Sequence, residues 1–473
     1  MGQQGTGLPQ LVSMGTRAMA VAAAAPASQG AGILSMFGFG TSRVDVPLSD
    51  ALPGVTVPLR SPPVASPKLQ TSVLSSGIQV ASIESSSPVS TVTLVVEAGS
   101  VNESAGTLGA SKMLEAMAFK ATSNRSTFRL TRELEKLGAS GFCKAGRDHT
   151  TFGISSVKLH TPEAVELLVD SVLNARYTYW EVRDMVDAVK EELAASLKRP
   201  CVVLREALHR AAFDGSLGQP LVLDPSLLDG FTDENLKAFV EKNMKDARMV
   251  LAGVGVDHAE LKALASPLLP STASKATPAK SDSVYVGGVL NVVAPLSVMH
   301  CALAFEVKGG LSEAALADVA VALLGAEGRS PLPHSQKESI RAFSSLYQGT
   351  GLIAVRASSD CSKAQETVDG ICKRVEDVAK GVTDAQLKQA KAVALANYRQ
   401  TAATGPGLVS LLAPSLLATG KYVPADYASK VESLTGAAVA AFLTKAIKSS
   451  PSFVTYGGLG SIPRFTAIAK RFA

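Results

Sequence analysis

No stretch of this chain approaches the roughly 20 uninterrupted apolar residues that cross a bilayer. The most apolar run, Ala18 to Ala25, is far shorter. Any work at a membrane therefore requires other subunits to hold the chain there. Aromatic residues make up only 5%, and no lysine or arginine cluster accompanies the net charge of +5. A nucleic-acid binder needs a basic stripe, so the composition argues against that class. The five cysteines, Cys143, Cys201, Cys301, Cys361 and Cys372, are odd in number, scattered and free of any Cys-x-x-Cys pair. This argues against a disulfide framework and a zinc ribbon, suits a reducing compartment, and predicts buried free thiols.

Other chemistry is missing too. The chain has neither a Gly-x-x-x-x-Gly-Lys phosphate loop nor a Gly-x-Ser-x-Gly nucleophile elbow. His149, His160, His209, His258, His300 and His334 show no i,i+3 or i,i+4 spacing, so no local metal site can be built from them. The first 44 residues hold Arg17 and Arg43 but no acidic residue, and are rich in alanine, serine and glycine. That composition fits a mitochondrial or plastid transit peptide, or a disordered N-terminal arm.

With 473 residues and 46% hydrophobic content, two or more globular domains are expected. Prolines between Pro47 and Pro67 predict an extended strap. Alternating apolar residues predict strands at Gly77 to Ile83, Val89 to Glu97, Thr151 to Leu159 and Arg248 to Gly253. Helical periodicity runs through Leu108 to Phe119, Arg125 to Leu137, Ala164 to Leu173, Val182 to Leu193, Val202 to Ala212 and Phe231 to Met244. Thr161 followed by Pro162 is a helix start. Ser266 to Ser283 is aperiodic and rich in Ser, Pro, Ala and Lys, which marks a linker.

Beyond that linker the pattern repeats. FTDENLKAFVEKNMKDARMVLAGVG from Phe231 matches LTGAAVAAFLTKAIKSSPSFVTYGGLG from Leu434, with Phe239 opposite Phe442. The segment from Thr150 resembles that from Thr350, and CALAFEVKGG from Cys301 mirrors TLVVEAGS from Thr93. All three matches fall in the same order at an offset near 200 residues. The reading is an α+β fold of tandem duplicated domains, each a mostly antiparallel sheet packed with helices. The expected division is 1–44 transit peptide or arm, 45–265 first domain, 266–283 linker and 284–473 second domain.

The most informative segment is GASKMLEAMAFKAT, Gly109 to Thr122. In an inverted zinc motif, His-x-x-Glu-His, two histidines four apart share one helical face and the glutamate is the general base. Here those positions are Lys112, Glu115 and Ala116. Only the base remains, with nothing to activate. At ~4 Å and an effective dielectric of ~20, an ammonium beside a zinc dication is repelled by on the order of 8 kcal/mol. The helix reads as non-catalytic, with no catalytic, cofactor or metal residues; Glu115 is an ordinary polar helix position that can pair with Lys112 at i,i+3.

This degenerate motif, its following Met-Ala-Phe-Lys and the tandem repeat resemble the pitrilysin family of metallopeptidases from about Val46 onward. The resemblance is to its branch of processing-peptidase α-subunits and core-protein-two subunits of the cytochrome bc complex. It implies a third ligand position at Glu192, in DAVKEELAAS, where one carboxylate alone cannot hold zinc. It implies an inactive homologue, peripheral on the matrix side of the mitochondrial inner membrane, that pairs with a β-type or core-one subunit. Two half-shells would enclose a cavity that Lys112 and Glu115 line or abut. Cytochrome b, cytochrome c-one and the iron-sulfur protein are the further implied partners, and haem and quinone ligands would belong to the membrane partners. In plant-type organisms peptidase and respiratory complex are one assembly. It also implies a glycine-rich loop that handles presequences. The corresponding stretch, Leu323 to Gly351, has Gly325 and Gly328 but also Pro331 and Pro333, and is shortened; prolines stiffen the chain and remove donors.

Overall fold

Strand and helix alternate along the first half of the chain in this computed structural model, which describes residues 69–244, 248–269, 283–325, 340–419, 425–458 and 462–472. The proline-rich strap, the first 44 residues, most of the linker and residues 326–339 of the glycine-loop counterpart lie outside them. In order come β1 (Leu69–Val73), β2 (Gln79–Ile83), β3 (Val89–Val96), α1 (Ala110–Ala116), α2 (Thr127–Lys136), β4 (Ser140–Ala145) and β5 (Thr150–Val157). Then follow α3 (Thr161–Leu173), α4 (Tyr179–Leu197), α5 (Pro200–Ala212), β6 (Phe213–Asp214), α6 (Asp233–Asn243), β7 (Met249–Val254) and α7 (His258–Leu268).

The second half runs β8 (Val284–Tyr285), β9 (Gly288–Val293), β10 (Val298–Glu306), β11 (Gly309–Gly310), α8 (Ala314–Gly325), β12 (Arg341–Leu346), β13 (Gln348–Gly349) and β14 (Gly351–Asp360). It ends with α9 (Ala364–Lys380), α10 (Asp384–Ala402), α11 (Gly405–Thr419), α12 (Ala425–Ser433), α13 (Gly436–Ile447), β15 (Ser452–Gly457) and α14 (Phe465–Arg471).

Two main sheets result, and each strand of the second has a counterpart in the first. The first has the order β1-β2-β7-β3-β5-β4, the second, read from its far end, β9-β15-β10-β14-β12. In each, one parallel pair (β2 with β7, β9 with β15) adjoins an otherwise antiparallel run. The three sequence matches fall on β5–α3 and β14–α9, on β3 and β10, and on α6–β7 and α13–β15. Phe239 and Phe442 are buried in the two main cores at 0% and 9% exposure. Burying such a side chain is worth roughly 1.5–3 kcal/mol. The tandem α+β reading is borne out.

Local details follow from residue type. Thr161 opens α3 with Pro162 in its first turn, where a missing N–H costs nothing. Ser126 caps α2 by accepting the Arg129 N–H. The periodicity over Leu108 to Phe119 overstates α1, which stops at Ala116; Phe119 turns to φ 60. Conversely α7 extends through Ser266 and Pro267 into the segment read as linker. All five cysteines are free, but only Cys301 and Cys372 are fully buried. Cys143, Cys201 and Cys361 are partly exposed, a departure from the buried-thiol expectation.

The halves exchange helices. α5, from the first half, lays Leu204, Ala207 and Leu208 on Ala302, Ala304, Ala354 and Val454 of the second sheet. Reciprocally, α11 from the second half lays Val409, Leu412, Ala413 and Leu416 on Ala81, Val95, Val250 and Ala252 of the first. Small alanines on the sheet surface let each helix approach closely. At the start of α11 a Cβ on Gly405 would lie 2.2 Å from Thr91 Oγ1, so only glycine fits there. Each sheet is thus covered on one face by its own helices and on the other by a helix of its twin.

Candidate functional site

Helix α1 is short and held from outside itself. Gly109, at φ 85, precedes it, and a Cβ there would meet Leu228 Cδ2 at 2.6 Å. Its first amides are satisfied by Glu103, whose Oε2 accepts the Gly109 N–H and whose Oε1 accepts the Ser111 N–H, both at 2.8 Å. Burial pushes the Glu103 carboxyl up from its ordinary value, and these hydrogen bonds pull the other way. Met113 and Leu114 anchor the helix in the core at 0% and 1% exposure. That orientation leaves Lys112, Glu115 and Ala116 half-buried on the other side.

Helix α4 presents Val182, Val186, Val189 and Leu193 to the core, and packs against α1 with Glu192 at the edge of the contact. Three of the four positions singled out in the sequence are thereby joined in an ion-pair bridge, in which Ala116 takes no part. Lys112 Nζ donates to Glu115 Oε2 at 3.0 Å and to Glu192 Oε1 at 3.5 Å. Glu115 Oε2 also accepts the backbone N–H of Ala145, at the end of β4, at 3.3 Å. Burial alone would lower the Lys112 pKa, but Glu115 and then Glu192 outweigh it and hold the ammonium above the usual lysine value. Cys143, on β4 nearby, is pushed up by burial first and by the Glu115 charge second, so its thiol stays protonated.

These residues do not fit zinc. An ammonium has three donors and no lone pair to offer a metal, and Ala116 offers no ligand atom. Lys112 sets a cation of the chain itself between two carboxylates, Glu115 and Glu192. Among the described residues no group of three or more His, Cys, Asp or Glu is placed to hold a metal. His258 is engaged by Ser82 and Ser72, and His300 by Ser358.

Other polar residues that carry no sequence signal sit where the halves meet. Arg147, in the β4–β5 turn, bonds Glu206 of α5 at 2.6 Å, and Glu206 also accepts the Leu221 N–H. His209 Nδ1 lies 2.7 Å from the Arg205 carbonyl and Nε2 lies 2.7 Å from Tyr347 Oη. Burial, and then Arg147, lowers the His209 pKa to about 3. The ring is therefore neutral, with Nδ1–H donating to the carbonyl and Nε2 accepting from the tyrosine. Burial also raises Asp148 to about 6, with the Glu97 charge adding, while the Gln348 N–H opposes. Glu103, Glu206 and Tyr347 lie outside any motif, so spacing could not have found them. Of the glycine-loop counterpart, Leu323 to Gly325 complete α8, and β12 and β13 follow residue 340.

Fold and site together define a duplicated α+β scaffold in which Lys112 bridges Glu115 and Glu192. The chain belongs to the insulinase family, peptidase family M16: residues 79–225 match that family and residues 230–393 match the M16 inactive domain. It is 33% identical to the probable mitochondrial-processing peptidase subunit alpha-2 of Arabidopsis thaliana, over 90% of this chain and 91% of that protein. It is 32% identical to the corresponding alpha-1 subunit, over 91% and 89%. To cytochrome b-c1 complex subunit 2 of Mus musculus it is 27% identical, over 85% and 92%. It is a non-catalytic member of the family, and no helix among the described residues is long and apolar enough to cross a membrane.

Proposed function

We propose that this chain is a core-protein-two type structural subunit of the mitochondrial cytochrome bc complex. It sits peripherally on the matrix side of the inner membrane and pairs with a β-type or core-one subunit. The observation that carries this reading is the Lys112 bridge to Glu115 and Glu192. It uses the former metal position to brace α1 against α4, so the scaffold serves assembly. Cytochrome b, cytochrome c-one and the iron-sulfur protein are the further partners, and residues 1–44 are the transit peptide or arm. The division at the 266–283 linker gives two peptidase-like domains.

A second reading is favoured by a specific observation: identity to plant processing-peptidase α-subunits, 33%, exceeds that to b-c1 subunit 2, 27%. On that reading the chain assists presequence cleavage by a zinc-bearing β partner. The test is purification from mitochondrial membranes in mild detergent, with identification of co-purifying chains and an assay of presequence cleavage. Cytochrome b and the iron-sulfur protein without cleavage support the structural subunit. Cleavage with a zinc-bearing partner and no cytochrome supports the α-subunit. On the first reading Glu115 has no catalytic role, so Glu115→Gln leaves the turnover of each assembled respiratory complex unchanged even where it weakens the bridge; a large loss of turnover per assembled complex would sink that reading.

A further inference from the structure

The two sheets differ at one end. In the first, β1 pairs antiparallel along β2, Leu69 opposite Ile83 through Val73 opposite Gln79. The equivalent place beside β9 in the second sheet is open among the described residues, and β9 is its edge. Gly288 N–H donates to Pro451 O and Ala294 N–H to Gly457 O. In a parallel ladder alternate residues face the same neighbour, so the backbone groups of Val289, Asn291 and Val293 point away from β15 into the open position. Val289 and Val293 are 45% and 73% exposed.

Edge strands of monomeric proteins are guarded by charge. The opposite edges of the two sheets obey this: β4 carries Lys144 and β12 carries Arg341. β9 does not. From Ser283 to Phe305 there is no Asp, Glu, Lys or Arg, and Pro295 only limits the strand's length.

We propose that β9 pairs antiparallel with β9 of a second copy of this chain, forming a sheet continuous across a two-fold axis. The strand is self-complementary about Asn291. With Asn291 of one copy opposite Asn291 of the other, Val289 falls opposite Val293 on one face and Leu290 opposite Val292 on the other. All outward backbone groups at residues 289, 291 and 293 then meet partners in hydrogen-bonded register. Apolar side chains match on both faces, and no charge opposes approach of an identical strand. An isologous contact of this kind closes at the dimer and does not propagate. Leu290 and Val292 already pack against the residues under α5, so that face of the edge strand is anchored.

Sedimentation velocity of the purified full-length chain over a concentration series, with amide hydrogen exchange on the same samples, tests this. The expected result is a monomer–dimer equilibrium with slowed exchange at Val289, Asn291 and Val293 in the dimer alone. Val293→Lys and, independently, Val289→Lys then weaken dimerisation by more than about tenfold while circular dichroism melting stays at the parent value. A chain that sediments as a monomer throughout, or a dimer indifferent to both lysines, overturns the proposal. So does slowed exchange already present in the dilute monomer, which means that a segment of the same chain fills the position. Slowed exchange only with another subunit bound assigns the edge to that subunit and equally overturns it.

Discussion

Arg147 Nη2 lies 2.6 Å from Glu206 Oε2, with the two side chains 4% and 12% exposed. The pair ties the β4–β5 turn of the first sheet to α5, the helix that covers the second. Removing one partner of a buried pair leaves an uncompensated charge, which costs more than the pair contributes. Glu206→Ala is expected to destabilise the protein by roughly 3–5 kcal/mol, read from urea unfolding followed by circular dichroism. A loss under about 1 kcal/mol would mean that water reaches Arg147 freely.

Lys112→Met removes the cation that Glu115 and Glu192 share. Because Glu192 is 63% exposed, the second contact is screened and contributes little. The expected loss is about 1–2 kcal/mol, mostly from the Glu115 bond. A double-mutant cycle with Glu115→Gln isolates it, and a coupling indistinguishable from zero would contradict the bridge. The raised Lys112 pKa places this stabilisation fully below the ordinary lysine range; it fades only as pH rises through the folded value.

Replacing Lys112 and Ala116 together by histidine, with Glu192 in place, recreates a three-ligand set on α1 and α4. Elemental analysis is expected to find about one zinc per chain in the double variant and none with Lys112→His alone, since catalytic zinc needs three protein ligands. Zinc near zero in the double variant would show that the α1–α4 spacing itself has diverged.

Asp148 makes stability depend on pH. Its folded pKa, about 6, lies above the ordinary 3.8, so between these values the folded protein binds more protons than the unfolded one. Stability therefore falls as pH rises through that window and stays lower above it. Asp148→Asn is expected to flatten the melting temperature between pH 4 and 6 and to raise it at pH 7. An unchanged pH profile would remove Asp148 as its source.

Gly405→Ala tests how closely α11 docks on the first sheet. The new Cβ would sit 2.2 Å from Thr91 Oγ1, and overpacking of this kind typically costs 1–3 kcal/mol. Pairing it with Thr91→Ala should recover much of the loss in thermal melts; no recovery would mean that the strain lies elsewhere.

Much of this architecture was legible in the chain. The strands β2, β3, β5 and β7 and the helices α3 to α6 follow their apolar periods, and the duplicated matches around Phe239 and Phe442 disclose two equivalent units. That Lys112 and Ala116 bring no metal ligand to α1 is also legible, because ligand chemistry is a property of residue type. β1 escaped notice: LQTSV has no apolar alternation strong enough to mark a strand, and pairing with β2 decides it.

Sequence alone thus determined the duplicated α+β plan and the lysine and alanine at positions 112 and 116 of α1, which offer no zinc ligand, since both are matters of local period and side-chain chemistry. Only the tertiary structure decided that α5 and α11 change places between sheets, that Glu103 caps α1, and that Lys112 finds Glu192 eighty residues away. Those outcomes depend on which surfaces meet. Such meetings are set by packing complementarity between distant segments, which leaves no periodic trace in either segment by itself.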